Sequence, residues 1–254
     1  MPTQESVESV KDGEVTVELV RPKDIRAPDA ASGAIRWQEA ANGTAGPNAP
    51  IGGVDAGFKR LFDLVASSAA LVVFTPLLLL ISILIKLDST GPTLFYQQRR
   101  GRHGALIDVY KFRTMYQDYS TPVPTSRSFR QTRKDDPRVT RLGSFLRRTS
   151  LDELPQLFNV VQGSMSLVGP RPHPAPLDER FRHLIPALDS RYEVKPGLTG
   201  WAQIHGFRGE TTRLEDMIGR VEHDRHYIRH WSFFLDVKII AITIVKGWTH
   251  RNAY

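Results

Sequence analysis

The sequence predicts an α+β, mostly helical protein held at a membrane by one apolar segment, and three observations predict it. An uncharged run of 22 residues, Leu64–Ile85, would extend about 33 Å as a helix, enough to reach across a bilayer. Two short runs, Thr93–Gln97 and Leu106–Phe112, read as strands joined by the basic, Gly-containing turn Arg99–Gly104. From Val139 onward the apolar residues recur mainly at helical spacing.

Taken in order, residues 1–55 read as a polar, largely disordered tail, with a short strand at Glu14–Val20 as its best ordered stretch. The segment from Ala40 to Gly57 is dominated by Ala, Gly, Asn and Pro, the composition of a linker. No basic start leads into an apolar stretch, so no signal peptide is expected. Lys59, Arg60 and Asp63 lead into the apolar segment, and Lys86 ends it. Hydropathy by itself favours a spanning helix. Thr75-Pro76 at the midpoint, and basic residues at both ends (Lys59 and Arg60, then Lys86, Arg99, Arg100 and Arg102), favour a hairpin that returns to the same face. On these grounds both geometries stay open. Residues 118–137 read as a polar loop. Helices follow at Val139–Thr149, Leu154–Gln162, Leu177–Asp189 and Leu214–His230, with irregular chain at Gly163–Pro176 and Pro196–Gly209. Phe233–Trp248 reads as an amphipathic closing helix with Asp236, Lys238 and Lys246 on its polar side. The aromatics Trp231, Phe233, Phe234 and Trp248 at its ends suit a membrane interface or a core.

Charge narrows the partners. The chain carries a formal net charge of +7 and no cysteine. The first fifty residues hold five basic and eight acidic side chains, so the body is the basic part, at +10. Such a body suits an anionic partner: nucleic acid, lipid headgroups or phosphorylated small molecules. The lack of cysteine excludes a disulfide framework, a thiol nucleophile and a Cys-ligated metal.

The chemistry concentrates between Arg138 and Pro172, RVTRLGSFLRRTSLDELPQLFNVVQGSMSLVGPRP. Two carboxylates, Asp152 and Glu153, stand at a helix start, with Arg138, Arg141, Arg147 and Arg148 upstream. Ser150 as N-cap would make a capping box with Glu153. Asp152 as N-cap would put Pro155 in the first turn, where a missing N–H costs little, and this second arrangement is favoured. Either places Asp152 at the positive end of a helix dipole. Acidic residues are common in first helical turns, and neighbours at i and i+1 do not share a helix face, so a capping role alone accounts for one of the two. Arg171 differs, because Pro170 and Pro172 flank it on a stiff backbone that suits bidentate phosphate recognition.

From Phe58 to the C-terminus the chain resembles the bacterial sugar transferase family, the small monotopic phosphoglycosyl transferases. The matching motifs are KRLFDLVASSAALVVFTPLLLL, YKFRTM, LDELPQLFNVVQGSMSLVGPRP, VKPGLTGWAQIHG and WSFFLDVKIIAIT. The resemblance implies a ping-pong reaction: an Asp attacks the sugar-bearing phosphorus of a UDP-sugar, UMP leaves, and polyprenyl (undecaprenyl) phosphate takes the phosphosugar, as in the initiation of exopolysaccharide synthesis. It assigns Asp152 as nucleophile, Glu153 as its partner, and both as ligands of Mg²⁺. Arg147, Arg171 and Arg113 are assigned to phosphate charge, Asp224 and Asp236 to site architecture, and Pro170 and Pro172 to the setting of Arg171. It also implies a re-entrant helix–break–helix at residues 56–87, broken at Thr75-Pro76, where the threonine hydroxyl satisfies a carbonyl freed by proline. Residues 88–254 then form a catalytic domain on the cytoplasmic face of the bacterial inner membrane, with a C-terminal interfacial helix. Longer family members carry additional transmembrane helices ahead of this unit, and none is expected here. Homodimer formation stays open. GLTGWAQIHGFRGETTRLEDM, with Arg208, Gly209, Glu210 and Thr211, is similar to members that transfer glucose 1-phosphate; galactose 1-phosphate is the first alternative.

Two rivals come from other classes. A membrane-tethered nucleic-acid binder would explain the basic body, but no nucleic-acid motif is present, and a nucleic-acid partner is not expected. A glycoside hydrolase would need its two carboxyls about 5 Å or more apart across a sugar, which adjacent residues do not readily supply.

Overall fold

The computed structural model describes residues 7–11, 14–18, 53–116, 136–209 and 213–247. The chain divides into two units, Met1–Thr44 and Ala45–Tyr254. In the first, β1 (Val7–Lys11) and β2 (Glu14–Glu18) pair antiparallel, from Val7↔Glu18 to Lys11↔Glu14. The other residues of the expected disordered tail up to position 52 lie outside the described residues. So do positions 118–135 of the expected loop, together with Glu210, Thr211 and Trp248.

The second unit opens with α1 (Gly53–Asp88), where Asp55 in the first turn and Lys86 in the last match the helix dipole. Asp55–Asp88 is long and apolar enough to cross a membrane. The expected interruption at Thr75-Pro76 is absent, and α1 is continuous through Pro76. Proline removes only the donor to the Val72 carbonyl, and the bonds on either side persist. The Thr75 hydroxyl donates to Leu71 O at 2.7 Å, one residue before the carbonyl that proline deprives.

Both limbs of α1 are fastened to the same unit. On the first limb, Lys59 Nζ reaches Asp236 Oδ2 at 2.6 Å, and Arg60 donates to Val160 O and Val161 O at 2.6 and 2.7 Å. Phe58 and Phe62 each meet the Phe233 ring edge-on at 5.1 Å. On the second limb, Ile81 and Ile85 are buried with Phe112 and Leu146. Between them, Val72–Pro76 are all exposed. Five residues turn through more than one full helical turn, so every face of α1 is bare at this point.

The remaining elements build the body. β3 (Leu94–Arg100) and β4 (Leu106–Phe112) form the expected hairpin, with Tyr96 opposite Tyr110. β3 runs three residues further than its sequence signal, and the turn narrows to Gly101–Ala105, with His103 at φ +57°. Then come α2 (Arg141–Thr149), α3 (Gln156–Gln162), β5 (Ser166–Val168) and α4 (Ala175–Arg182). A 3₁₀ stretch at Pro186–Glu193 leads to β6 (Gly197–Thr199), α5 (Trp201–Ile204), α6 (Leu214–Arg229) and α7 (Phe233–Gly247). The single helix expected at 177–189 is therefore α4 followed by the 3₁₀ stretch, broken where Pro186 removes a donor. β5 and β6 pair in parallel, Ser166↔Gly197 and Val168↔Thr199, inside segments expected to be irregular.

α7 inverts one expectation. Asp236, assigned to its polar side, is only 1% exposed, whereas Phe234 is 81% exposed and Val237, Ile244 and Val245 join it on the outer face. The buried carboxylate accepts from Lys59, from Tyr227 Oη (2.8 Å) and from Trp231 Nε1 (3.1 Å). Asp236 is thus the pin between α7 and the start of α1.

Arg113 serves the other limb. Its guanidinium donates to Ile85 O (3.3 Å), to Ser89 O (2.6 Å) and to Thr90 O, carbonyls at and just beyond the C-terminus of α1. A helix end leaves such carbonyls without intrahelical donors, and Arg113 supplies them. Arg113→Leu should therefore destabilise the detergent-solubilised protein by about 2–3 kcal/mol. A thermal melt indistinguishable from wild type would remove Arg113 from this role.

Candidate active site

The site forms where the end of β4, the corner between α2 and α3, and the loop after β5 converge. α2 starts at Thr140, whose Oγ1 accepts from Gly143 N at 2.9 Å, and its last turn carries Arg147 and Arg148. It stops at Ser150, which takes a left-handed conformation (φ 59°, ψ 15°). A 3₁₀ turn, Leu151–Glu153, follows, and Pro155 stands at the N-cap of α3. Neither expected helix start is realised: Ser150 makes no side-chain cap, and Asp152 precedes α3 instead of capping it. Glu153 N bonds Ser150 O at 3.1 Å and Leu154 N bonds Leu151 O at 3.3 Å, so the tighter i→i+3 pattern occupies the corner. The electrostatics of Asp152 are therefore set by cationic side chains rather than by a capped helix dipole.

The two carboxylates are both 6% exposed yet differently held. Glu153 is clamped. Arg171 meets it as a fork, Nη2 to Oε1 at 2.5 Å and Nη1 to Oε2 at 3.1 Å; Lys111 Nζ adds 2.7 Å and Arg208 Nη2 adds 3.5 Å. Burial alone would raise its pKa, but Arg171, Lys111 and Arg208 hold it well below the usual carboxylate range. Asp152 is left loose: among the described residues none hydrogen-bonds its carboxylate. Burial pushes its pKa up, and the neighbouring Glu153 charge adds to that push. Lys111, Arg147 and Arg171 oppose it without cancelling it.

The loop carrying Arg171 is pressed against β6. Gly169 N donates to Thr199 O and Gly197 N to Pro170 O, both at 2.9 Å. A methyl at Gly169 would sit 2.5 Å from Lys195 O, so only glycine allows this approach. Arg99 Nη1 holds Pro172 O at 2.7 Å, and burial beside Arg171 lowers the Arg99 guanidinium to about 10. From behind, Arg191 Nη2 donates to Arg171 O at 2.8 Å while its Nε and Nη2 grip Asp224 Oδ2 at 3.2 and 2.7 Å. Asp224 thus acts on the site through Arg191. Arg147 is fixed by Thr114 Oγ1 at 2.8 Å, with Asp152 the strongest carboxylate influence on it.

Of the residues singled out in the sequence, the structure brings together Asp152, Glu153, Arg147 and Arg171, with Pro170 and Pro172 shaping the last. Arg113, expected to face the phosphate charge, belongs to the end of α1, and Asp236 to its start. Residues 54–250 match the family described as Bacterial sugar transferase. The chain belongs to the bacterial sugar transferase family. The chain is 48% identical, over 81% of its length, to a UDP-glucose:undecaprenyl-phosphate glucose-1-phosphate transferase of Escherichia coli (strain K12). It spans only 43% of that relative's length. It covers all of the exopolysaccharide production protein PSS of Rhizobium leguminosarum bv. phaseoli at 42% identity, with 79% of its own length aligned. It is 41% identical, over 73% of its length and 42% of the relative's, to a UDP-N-acetylgalactosamine-undecaprenyl-phosphate N-acetylgalactosaminephosphotransferase of Aeromonas hydrophila.

Sequence reasoning missed Lys111 as a site residue and placed Arg208 only among specificity residues. Lys111 had a signal: strand alternation puts it on the face of the buried Val109, an odd position for a lysine without a buried partner. Lys111 is also the largest influence lowering the Asp152 pKa. Lys111→Met should accordingly raise it further, as read by ¹³C NMR titration of labelled aspartate. A titration curve unchanged from wild type would mean that the ammonium does not act on Asp152.

Proposed function

We propose that this chain transfers a hexose 1-phosphate, glucose 1-phosphate in the first instance, from a UDP-sugar to undecaprenyl phosphate, initiating a polysaccharide or related glycoconjugate. One observation carries the reading: among the described residues none hydrogen-bonds the buried Asp152 carboxylate, which lies amid Lys111, Arg147 and Arg171, while its neighbour Glu153 is fully engaged. The names of the Escherichia coli and Rhizobium relatives support the substrate and pathway class. The Aeromonas relative's name makes an N-acetylhexosamine a second sugar to test, beside galactose.

The chemistry follows from that arrangement. An Asp152 oxygen attacks the phosphorus bonded to the sugar, the bond from that phosphorus to the UMP oxygen breaks, and UMP leaves with the electron pair. Polyprenyl phosphate then attacks the same phosphorus through an oxygen, and the bond to Asp152 breaks, restoring the carboxylate. Attack by an anion on a diphosphate requires charge neutralisation, which Arg171, Arg147, Lys111 and Arg208 provide from fixed positions. Glu153 holds Arg171, Lys111 and Arg208 in register, and Thr114 holds Arg147. Water is largely excluded, so each charge acts in a medium of low dielectric.

Mg²⁺ fits part of this site. Among the described residues no group of three or more acidic or histidine side chains converges on one point. A hard dication that keeps several waters and takes phosphate oxygens needs only one or two carboxylates. Asp152, unpartnered, fits as that ligand; Glu153 does not, because Arg171 and Lys111 occupy its oxygens. When bound, the ion would spread the charge of the diphosphate.

For the membrane, we take α1 to bend at Pro76 while staying helical, so that it enters one leaflet and returns, which keeps the body on the cytoplasmic face where nucleotide-sugars occur. The fastening of both limbs to one unit and the bare apex at Val72–Pro76 support this over a spanning helix. Cysteines introduced at positions 54 and 90 should then be labelled from the same side of sealed inverted vesicles; labelling from opposite sides would establish a span.

Three measurements test the chemistry. Asp152→Asn should lose turnover by at least about 10⁴-fold, since an amide cannot form the acyl phosphate. Incubation with UDP-glucose alone should leave a hexose phosphate on position 152 by mass spectrometry, and lipid product formed with that residue unmodified would exclude the covalent route. Excess chelator should stop the reaction, and undiminished turnover in its presence would dispense with Mg²⁺.

A further inference from the structure

Arg208 is the one cation on Glu153 that comes from a loop following a four-residue helix, so something must hold that loop in place. The loop is seated on α6 at both sides of Arg208. Before it, Phe207 N donates to Ala202 O at 3.0 Å, and the Phe207 ring lies over Gly219 of α6. A methyl at Gly219 would stand 2.5 Å from Phe207 Cε1 and 2.7 Å from Cζ, so the ring fills a notch that exists only because position 219 lacks a side chain. After it, Gly209 O accepts from Arg220 Nη2 at 2.8 Å.

The ring has little room to retreat. His223 abuts it with centroids 4.7 Å apart, and His223 Nδ1 is paired with Gly219 O at 2.7 Å. Behind His223 the ring contacts continue to His205 at 5.2 Å and from His205 to Trp201 at 4.2 Å. Phe207, Gly219 and His223 touch neither Asp152 nor Glu153, and glycine in the middle of a 16-residue helix is otherwise unfavourable relative to alanine.

We infer that the Phe207 ring in the Gly219 notch is a positioning device that holds Arg208 against the donor's phosphosugar, making Phe207 and Gly219 positioning residues for donor recognition. This rests on the transferase reading above. A group displaced by an ångström loses its contribution to binding or orientation even though its own chemistry is intact. Helix propensity by itself predicts the opposite outcome for Gly219→Ala: a protein at least as stable, with unchanged kinetics.

The test uses the full chain in lipid nanodiscs, with UDP-glucose and undecaprenyl phosphate. The set is wild type, Arg208→Ala, Gly219→Ala, Phe207→Ala and the Arg208→Ala/Gly219→Ala double variant. Gly219→Ala and Phe207→Ala should each raise KM for the donor about tenfold, as Arg208→Ala does, with KM for the acceptor near wild type. The double variant should be no worse than Arg208→Ala alone, because both changes remove the same contact. A wild-type donor KM in Gly219→Ala, or a double variant whose loss is the product of the two single losses, overturns the inference. Should Gly219→Ala fail to fold, Phe207→Ala, which opens the notch without a clash, decides it on the same readouts. If wild type turns over no UDP-sugar, the transferase reading fails on its own. The positioning claim is then read from UDP affinity by calorimetry across the same set, where equal affinities would refute it.

Discussion

Two carboxylates buried side by side repel each other, and the body is organised around making that tolerable. Glu153 remains ionised only because Arg171, Lys111 and Arg208 surround it, each delivered by a different segment. Removing one partner from such a cluster leaves uncompensated charge in a medium that punishes it, which is why each segment is itself firmly held. The Arg171 loop is locked to β6 by glycine-only contacts and by Arg191, which Asp224 anchors in turn. Its proline-bounded stiffness therefore has a tertiary cause as well as a local one. The contrast between the engaged glutamate and the idle aspartate follows directly: the cations are spent on one carboxylate, so the other keeps its lone pairs.

The same economy extends to the ends of α1. Asp236 and Arg113 are buried charged groups outside the carboxylate cluster, and both serve to fasten that helix. Asp236 receives three donors at its start, and Arg113 supplies donors at its finish. A helix whose flanks are bare cannot be stabilised by packing along its length in water. The attachment is instead concentrated at two ion- and hydrogen-bonded ends.

Much of this architecture was legible in the sequence, and the parts that were not share a cause. The hairpin β3–β4, the helices α2, α6 and α7 and the long apolar helix carry periodic signals, and each is found within a few residues of its expected bounds. β5 and β6 are three residues long and exist only because distant Gly- and Pro-rich segments pair, so no window of sequence contains their reason. The corner at Ser150 was misread because its shape is set by an i→i+3 turn and a left-handed serine, whereas capping rules assume a regular helix start. Asp152, Glu153, Arg147 and Arg171 were recognisable from their motif. Lys111 was overlooked because its one signal is its place on the strand face of Val109, and Arg113 was misplaced because a cation near a motif gives no hint that a helix end 24 residues away in sequence needs its donors.

Lys111 near the end of β4 and Arg113 just past it are two residues apart. One grips the carboxylate cluster and the other grips the terminus of the apolar helix, and about 7 Å of backbone separates them. The height of the carboxylate cluster above the end of that helix is set by two peptide units rather than by a hinge. A molecule that approaches Asp152 along that helix therefore meets it at one fixed height, so reach is selected before any finer contact is made.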